Sequence, residues 1–500
     1  MLPLSPSTFE DFERETARGN VVPVTRAVLA DLQTPLGVFI RIAGDAPHAF
    51  LLESIEGGER LARYSFIGAN PWMIVRARGN KTAVQKESHQ EIVDQRAIDF
   101  VRAYFSKQKL ARRHGLAPFC GGAMGYLGYD AARWFEPVLA RDESENRQCD
   151  EAAWMFFRNV LAFDRVQQQI EITSVVFVDE AGGDRQRLRE LYDHAVQETD
   201  SIATRLSELA QAPASPPTLG QTTVHFQSSW PRAHFEAAVE TVKEHIAAGD
   251  CYQVVIAQKF RKPTAADPLA IYRALRATNP SPYMFFLRMG NEAIVGSSPE
   301  MLVRCHGQRL DYRPIAGTRP RGATEAEDWM LGEEMRHDEK EVAEHTMLVD
   351  LGRNDLGRVS DYGTVKVDEL MKIERYSHVQ HLVTSLRSRL RDELDRFDAL
   401  ASCFPAGTVT GAPKIRAMQI IDELEPAKRG IYAGAVLYVD YAGNLDSCIA
   451  IRTIHLRDGV ATVQAGAGIV ADSVPEREYE ECVNKARALF RAIELAEKGL

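Results

Sequence analysis

The chain has 500 residues, a formal net charge of −10 and 45% hydrophobic residues, a length that suits two or three domains around a sizeable core. Ordinary proportions of charged and apolar residues exclude disordered, collagen-like and mucin-like classes, and 70 acids against 60 Lys and Arg leave no phosphate-tracking surface for nucleic acid. The start, MLPLSPSTFEDFERETARG, has neither a basic nor an apolar leader region, and no run approaches the ~20 apolar residues of a membrane helix. A soluble cytoplasmic protein that contacts neither nucleic acid nor membrane is expected.

In chain order, residues 50–52, 72–77, 154–163 and 170–178 read as strands, the last two as neighbours in a meander. Helices are predicted over 97–107 and 184–209, both amphipathic and charge-laced. The stretch 208–229, ELAQAPASPPTLGQTTVHFQSS, reads as a linker between a region spanning 20–207 and a domain spanning 230–495. The second half opens on a helix over 231–248 that Gly249 ends, followed by strands at 253–260, 283–288 and 293–297. Strands cluster rather than alternate strictly with helices, which favours an α+β fold over a doubly wound parallel sheet. Seven scattered cysteines form no C-x-x-C and no zinc spacing, so they read as reduced thiols.

The chemistry concentrates in three features. Glu341 and Glu344, and again Glu478 and Glu481, stand three apart on predicted helices, so each pair projects from one face. Brought together they offer hard oxygen ligands suited to Mg²⁺; left apart they are solvated helix faces. The runs RPIAGTRPRG, FPAGTVTGAPK and QAGAGIV are glycine-rich turns that let backbone N–H groups approach an anion, although none matches a Walker loop or a dinucleotide fingerprint. His381, in HVQHLVTSL, is either a titratable site group or a hydrogen-bonded core histidine. Arg452 lies in the strand-like run CIAIRTI, where a buried guanidinium needs a carboxylate partner, and Tyr432 offers a hydroxyl. No G-x-S-x-G or G-x-C-x-G elbow is present, so a nucleophilic hydrolase or glutaminase activity has no anchor.

Long motifs in order carry a resemblance: LLESIEGGERLARYSFIG, NPSPYMFFL, GSSPEMLVR, RPIAGTRPRG, HTMLVDLGRNDLGRV, GTVTGAPKIRAMQIIDELE and QAGAGIVADSVPEREYEE. Over nearly its whole length the chain resembles the large (component I) subunits of the anthranilate synthases, within the chorismate-utilising enzymes. The resemblance implies two interlocked layered α/β units with mostly antiparallel sheets and helices outside. It implies chorismate held by Gly317, Thr318, Tyr432, Arg452, Gly466, Ala467, Gly468 and Lys485, and Mg²⁺ held by Glu344 and Glu481, with Glu341 and Glu478 reaching it through water. His381 matches the residue implicated in pyruvate release, and Thr318 and Glu341 join it as implied catalytic residues. The 20–207 region is implied to sense tryptophan as a feedback inhibitor, through Ser54 together with Pro282, Tyr283 and Met284. Ammonia is expected from a separate glutamine amidotransferase subunit in a heterotetramer. Ala316 stands where aminodeoxychorismate synthases commonly carry a nucleophilic Lys, and Gln253 where isochorismate-type and salicylate-type sisters place a water-activating Lys. An aminodeoxychorismate synthase component I and a catalytically silent tryptophan-binding subunit are the alternative expectations.

Overall fold

The computed structural model describes residues 4–55, 63–139, 150–208, 226–376 and 379–499. Most of the expected linker, 209–225, lies outside these residues, as do 56–62 of the first motif.

Among the described residues, two antiparallel sheets of 12 strands each form the framework, and each draws strands from both halves of the sequence. In the first sheet, His48–Glu53 pairs with Tyr283–Met289, with Leu51 opposite Phe286. In the second, Gly122–Leu127 pairs with Ala435–Asp440, with Tyr126 opposite Val436. The two halves of the chain are therefore interlocked through continuous hydrogen-bonded ladders.

The strand Ala152–Phe157 shows why the sheets stack. Its sequence, AAWMFF, is apolar at every position, and every residue is buried. Strand periodicity sends Ala153, Met155 and Phe157 to one face and Trp154 and Phe156 to the other. The first set joins Phe50, Phe66, Phe285 and Ile294 in a core between the sheets, and the second joins a larger core that includes helix Ala97–Phe105. Each such aromatic contributes about 1.5–3 kcal/mol by leaving water. Helices Pro35–Ala43, Arg185–Ser207, Pro268–Thr278 and Pro475–Glu497 cover the first sheet through a further apolar cluster.

Most expected elements are present within a few residues. Gly249, with φ +83°, follows helix Arg232–Ala247 as its left-handed stop. The expected single strand over 154–163 is instead two, Ala152–Phe157 in the second sheet and Asn159–Asp164 in the first. The break falls at Arg158, whose guanidinium lies over Trp72 and Phe177 and donates to both oxygens of Glu180, so it cannot enter a core strand. The expected meander holds for Asn159–Asp164, which pairs with Gln169–Phe177. Among the described residues, no helix is long and apolar enough to cross a membrane.

Candidate active site

Strand Ile315–Pro320 pairs with Val379–Arg389 in regular register up to Ala316 opposite Leu382, then resumes with Arg319 opposite Gln380. Gly317 and Thr318 therefore both face His381 across a bulge, a local widening that re-aims side chains. Gly317 takes φ +69°, and its carbonyl lies 2.8 Å from His381 Nδ1, with Thr318 Oγ1 at 3.1 Å from the same nitrogen. A carbonyl only accepts, so Nδ1 carries the hydrogen and Nε2 keeps its lone pair. Burial, together with the nearby Arg452 charge, pulls the His381 pKa down, while the bond to Gly317 opposes the shift. His381 is thus a neutral imidazole with a free basic nitrogen. A Cβ at Gly317 would come within 3.1 Å of Glu341 Oε2 and Met335 Sδ, in a conformation side chains disfavour. Gly317→Ala is expected to reduce kcat/KM by ~100-fold, the effect of an ångström-scale misplacement of reacting groups; unchanged kinetics would show that the bulge is merely structural.

Helix Glu339–Gly357 begins at Asp338, whose carboxylate accepts from the backbone N–H of Lys340 and Glu341. Glu341 and Glu344 share the face this cap sets. Glu341 Oε1 accepts from Arg319 Nη1 at 2.7 Å. Glu344 is raised from the ordinary carboxylate range by burial and then by the charge of Glu341, with Glu481 adding to the shift. On helix Pro475–Glu497, burial and then Glu481 raise Glu478. Glu481 pairs with Lys485 Nζ at 2.7 Å, and the same ammonium donates to the Gly466 carbonyl at 3.0 Å, tying helix to strand. Glu341, Glu344, Glu478, Glu481 and Lys485, with Gly317, Thr318 and His381, line one cavity of about 870 Å³.

The donor chemistry suits Mg²⁺: all oxygen, with repulsion between carboxylates that a cation would relieve. Among the described residues no three acidic, imidazole or thiol groups converge on one point. The arrangement is therefore open, as suits an ion that keeps water and takes one or two direct carboxylates.

Arg452 is not in a strand, contrary to the sequence expectation. Residues 450–452 carry the chain from Leu445–Ile449 in the second sheet to Thr453–Arg457 in the first, and Arg452 takes φ +49°. Its guanidinium lines the cavity, and among the described residues it has no hydrogen-bond or ion-pair partner. Burial lowers its pKa, and Tyr432 is the one group that opposes this. A desolvated cation without a counter-charge is costly, and the bidentate fork fits a carboxylate.

Strand Val460–Ile469 is bare at two of the positions that line the cavity, Gly466 and Gly468. A Cβ at Gly466 would sit 3.0 Å from the Tyr432 hydroxyl, and one at Gly468 would sit 2.5 Å from Gln253 Nε2. Ala467, between them, points the other way into the core and does not line the cavity. Tyr432 is held in its protonated form by burial. Behind it, the Arg429 guanidinium donates to the carbonyls of Val409 and Val255, fixing two cavity walls. Gln253 and Ala316 both line the cavity.

Sequence reasoning missed Glu300. It follows strand Glu292–Ser298, lines the same cavity and is buried, and burial raises its pKa to about 8, with the Thr408 hydroxyl opposing. At neutral pH it is a carboxylic acid with a proton to give.

A second cavity, of about 260 Å³, lies between the sheets. Ser54, Pro282, Tyr283 and Met284 line it from the first sheet's side, and Arg304, Tyr438 and Asp446 from the second's. The register that sets Glu53 opposite Met284 brings the two distant segments together. Asp446 accepts from Tyr283 Oη at 3.2 Å and from Arg304 Nε at 2.8 Å, a clasp from sheet to sheet. Glu53, also missed from sequence, is buried at its edge and accepts from Tyr272 Oη at 2.7 Å and Arg276 Nε at 2.9 Å.

Comparison with known proteins finds one family over nearly the whole chain. The family description "chorismate binding enzyme" matches residues 47–491. The chain is 47% identical over 484 residues to anthranilate synthase component 1 of Acetivibrio thermocellus, covering 95% of this chain and 96% of that protein. It is 44% identical to the component 1 of Pseudomonas putida, covering 98% and 99%. Among solved structures, anthranilate synthase component I from Streptococcus pneumoniae superposes with a TM-score of 0.74 at 33% identity, over 92% of this chain and 98% of that one. MenF, the menaquinone-specific isochorismate synthase from Escherichia coli, shares the fold with a TM-score of 0.67 at 22% identity, over 98% and 99%.

Proposed function

The chain belongs to the chorismate-binding enzymes, and on that footing we propose that it is the component of an anthranilate synthase that converts chorismate and ammonia to anthranilate, pyruvate and water. Chorismate carries two carboxylates, an enolpyruvyl ether and a ring hydroxyl. The observation that carries the reading is a half-buried guanidinium, Arg452, that has no counter-charge among the described residues and shares one cavity with four glutamates. A dianion with a divalent cation on one carboxylate satisfies both.

Arg452 would hold one carboxylate by paired N–H donors, with the bare backbone at Gly466 and Gly468 leaving room for it. Glu344 and Glu481 would hold Mg²⁺, with Glu341 and Glu478 acting through water, and the ion would supply charge neutralisation and Lewis acidity at the other carboxylate. Protonated Glu300 would give its hydrogen to the departing ring hydroxyl as ammonia adds beside the carboxylated ring carbon. His381, with Nε2 unprotonated, would then take the ring proton while the ether C–O bond breaks, releasing pyruvate as its enolate, which takes up a proton from solvent, and leaving an aromatic ring. Ala316 and Gln253 supply neither a competing nucleophile nor a base to activate water, which supports ammonia as the attacking species. A glutamine amidotransferase subunit would deliver it, in a cytoplasmic heterotetramer; the relatives' designation as component 1 and the missing elbow motifs support that partner.

The cavity between the sheets would bind L-tryptophan as feedback inhibitor, with Ser54 as a polar contact. Leaving one buried polar partner unpaired costs about 1–3 kcal/mol, or about 5- to 150-fold in affinity. Ser54→Ala is expected to raise the inhibitory tryptophan concentration by that factor and Ser54→Phe by more, with uninhibited turnover unchanged. Overlaying inhibition curves would remove Ser54 from the site.

Glu344→Ala and Glu481→Ala are expected to cost more than the roughly 10–100-fold of outer-shell changes, and Glu341→Ala and Glu478→Ala to fall within that range. Near-wild-type rates in the first pair at ordinary Mg²⁺ would contradict the ligand assignment. Product identity tests the function itself: anthranilate by fluorescence and mass supports it, and an amino-deoxychorismate product points to the sister activity.

A further inference from the structure

Four strands lie side by side between the inter-sheet cavity and Arg452: His48–Glu53, Tyr283–Met289, Glu292–Ser298 and Thr453–Arg457. Glu53 stands opposite Met284, and Met284 opposite Ser297. The Ser297 N–H donates to the Arg452 carbonyl at 3.1 Å, just past the last paired residues, Gly296 and Thr453. The Ile55 N–H, next to Ser54, donates to the Ser281 carbonyl at 3.3 Å. The two serines also touch, with their hydroxyl oxygens 2.9 Å apart, and the Ser297 hydroxyl donates to the Asn279 carbonyl. The one hydroxyl hydrogen of Ser297 is thus shared between the Asn279 carbonyl and the Ser281 oxygen, with Ser297 the donor to both.

A small chamber of about 190 Å³ adjoins this chain of bonds, lined by Ser281, Ser297, Thr318, His381 and Arg452. Pro282 lines both this chamber and the inter-sheet cavity. Arg452 is also the last residue of the crossover between the sheets. Asp446, in the strand Leu445–Ile449 that leads into that passage, is the residue that clasps Tyr283 and Arg304 in the inter-sheet cavity.

We propose that Ser281 and Ser297 form a brace that positions Arg452, and that this brace couples the inter-sheet cavity to the catalytic cavity. The proposal rests on the reading of the inter-sheet cavity as the tryptophan site. A ligand that contacts both sheets favours one spacing between them, and it acts only so far as it binds one arrangement more tightly. The segment 450–452 spans the same gap, so a change in spacing falls on it. A left-handed backbone at a non-glycine residue persists only where its surroundings hold it. Here the Ser297 N–H holds the Arg452 carbonyl, and Ser281, bonded to Ile55, holds Ser297. Moving Ser54 and Ile55 thereby moves the guanidinium that receives the substrate carboxylate. Coupling of this kind is reciprocal: chorismate must weaken tryptophan binding by the factor that tryptophan weakens chorismate binding.

The test is calorimetric titration of L-tryptophan into the full chain with Mg²⁺ and no ammonium, with and without saturating chorismate. Wild type is expected to bind tryptophan about 5- to 150-fold more weakly when chorismate is present. Ser281→Ala is expected to bind tryptophan alone as wild type does, with the chorismate effect falling toward unity. Ser281→Thr, which keeps the hydroxyl, is expected to restore it. Should Ser281→Ala fail to fold, Ser297→Ala, which removes the donor, decides in its place. A full chorismate effect in the folded alanine variant would overturn the brace and leave the tryptophan site standing. Absence of tryptophan binding to wild type would overturn the site, and the coupling with it.

Discussion

Arg452→Ala is expected to lower kcat/KM for chorismate by about 30- to 4000-fold while raising the thermal midpoint of the chain. The first figure is the cost of about 2–5 kcal/mol for truncating one partner of a buried charge pair, at 1.4 kcal/mol per decade. The second effect has the opposite sign because the guanidinium has no counter-charge among the described residues. Removing a half-buried cation that has no counter-charge among the described residues relieves the fold, as when function holds a site away from its stability optimum. Arg452→Lys keeps the charge but loses the planar fork, so it should recover only part of the activity. Steady-state kinetics and thermal unfolding of the same samples check the pair. A variant that loses both activity and stability would make Arg452 a structural residue, and one within a few-fold of wild type would remove it from the site.

Glu300→Gln is expected to reduce kcat by about 10²–10⁴-fold, the usual contribution of a positioned general acid, with chorismate binding retained. The wild type should show a pH limb that this variant lacks. Burial lifts the Glu300 carboxyl to about 8, so it is protonated below that pH and loses its proton above it. The kcat/KM profile of the free enzyme should therefore fall on the alkaline side through about pH 8. His381, held below its ordinary value chiefly by burial, remains an unprotonated base across neutrality and sets no limb there. The stability consequence has a definite sign. A carboxyl raised in the folded state contributes stability that is full below its unfolded value and is lost as pH climbs through about 8. Glu300→Gln should flatten that loss. A wild-type profile still level at pH 9, or full turnover in the glutamine variant, would remove Glu300 from the role.

The carboxylate pairs were legible in the sequence because helical spacing alone places Glu341 with Glu344 and Glu478 with Glu481. Whether the two faces meet depends on the packing of helices far apart in the chain, which no local pattern encodes. The bulge that turns Gly317 and Thr318 toward His381 is a register event between strands some 60 residues apart, and register is set by the assembled sheet. Glu300 was invisible for a different reason. Its signal is burial, and a glutamate after Ser-Ser-Pro looks like any strand-end acid until the cavity closes around it. Ala467 is the converse case. Strand alternation already separates it from Gly466 and Gly468, so its place in the core was readable from period two alone. In the fold, the run WMFFRNVLAF reads as one strand because apolar residues flank Arg158 on both sides. The switch between sheets appears only once Glu180, Trp72 and Phe177 are there to receive the guanidinium.

The central claim is that this chain aminates chorismate with free ammonia and ejects pyruvate. The most direct measurement mixes the purified chain with chorismate, Mg²⁺ and either ammonium or glutamine, and follows anthranilate by fluorescence and pyruvate by an enzymatic assay. With ammonium, the two products should appear in equal amounts and cease to form when the metal is chelated; with glutamine alone, neither should form. Chorismate left unconsumed in ammonium, or robust turnover driven by glutamine without a second subunit, would contradict the account.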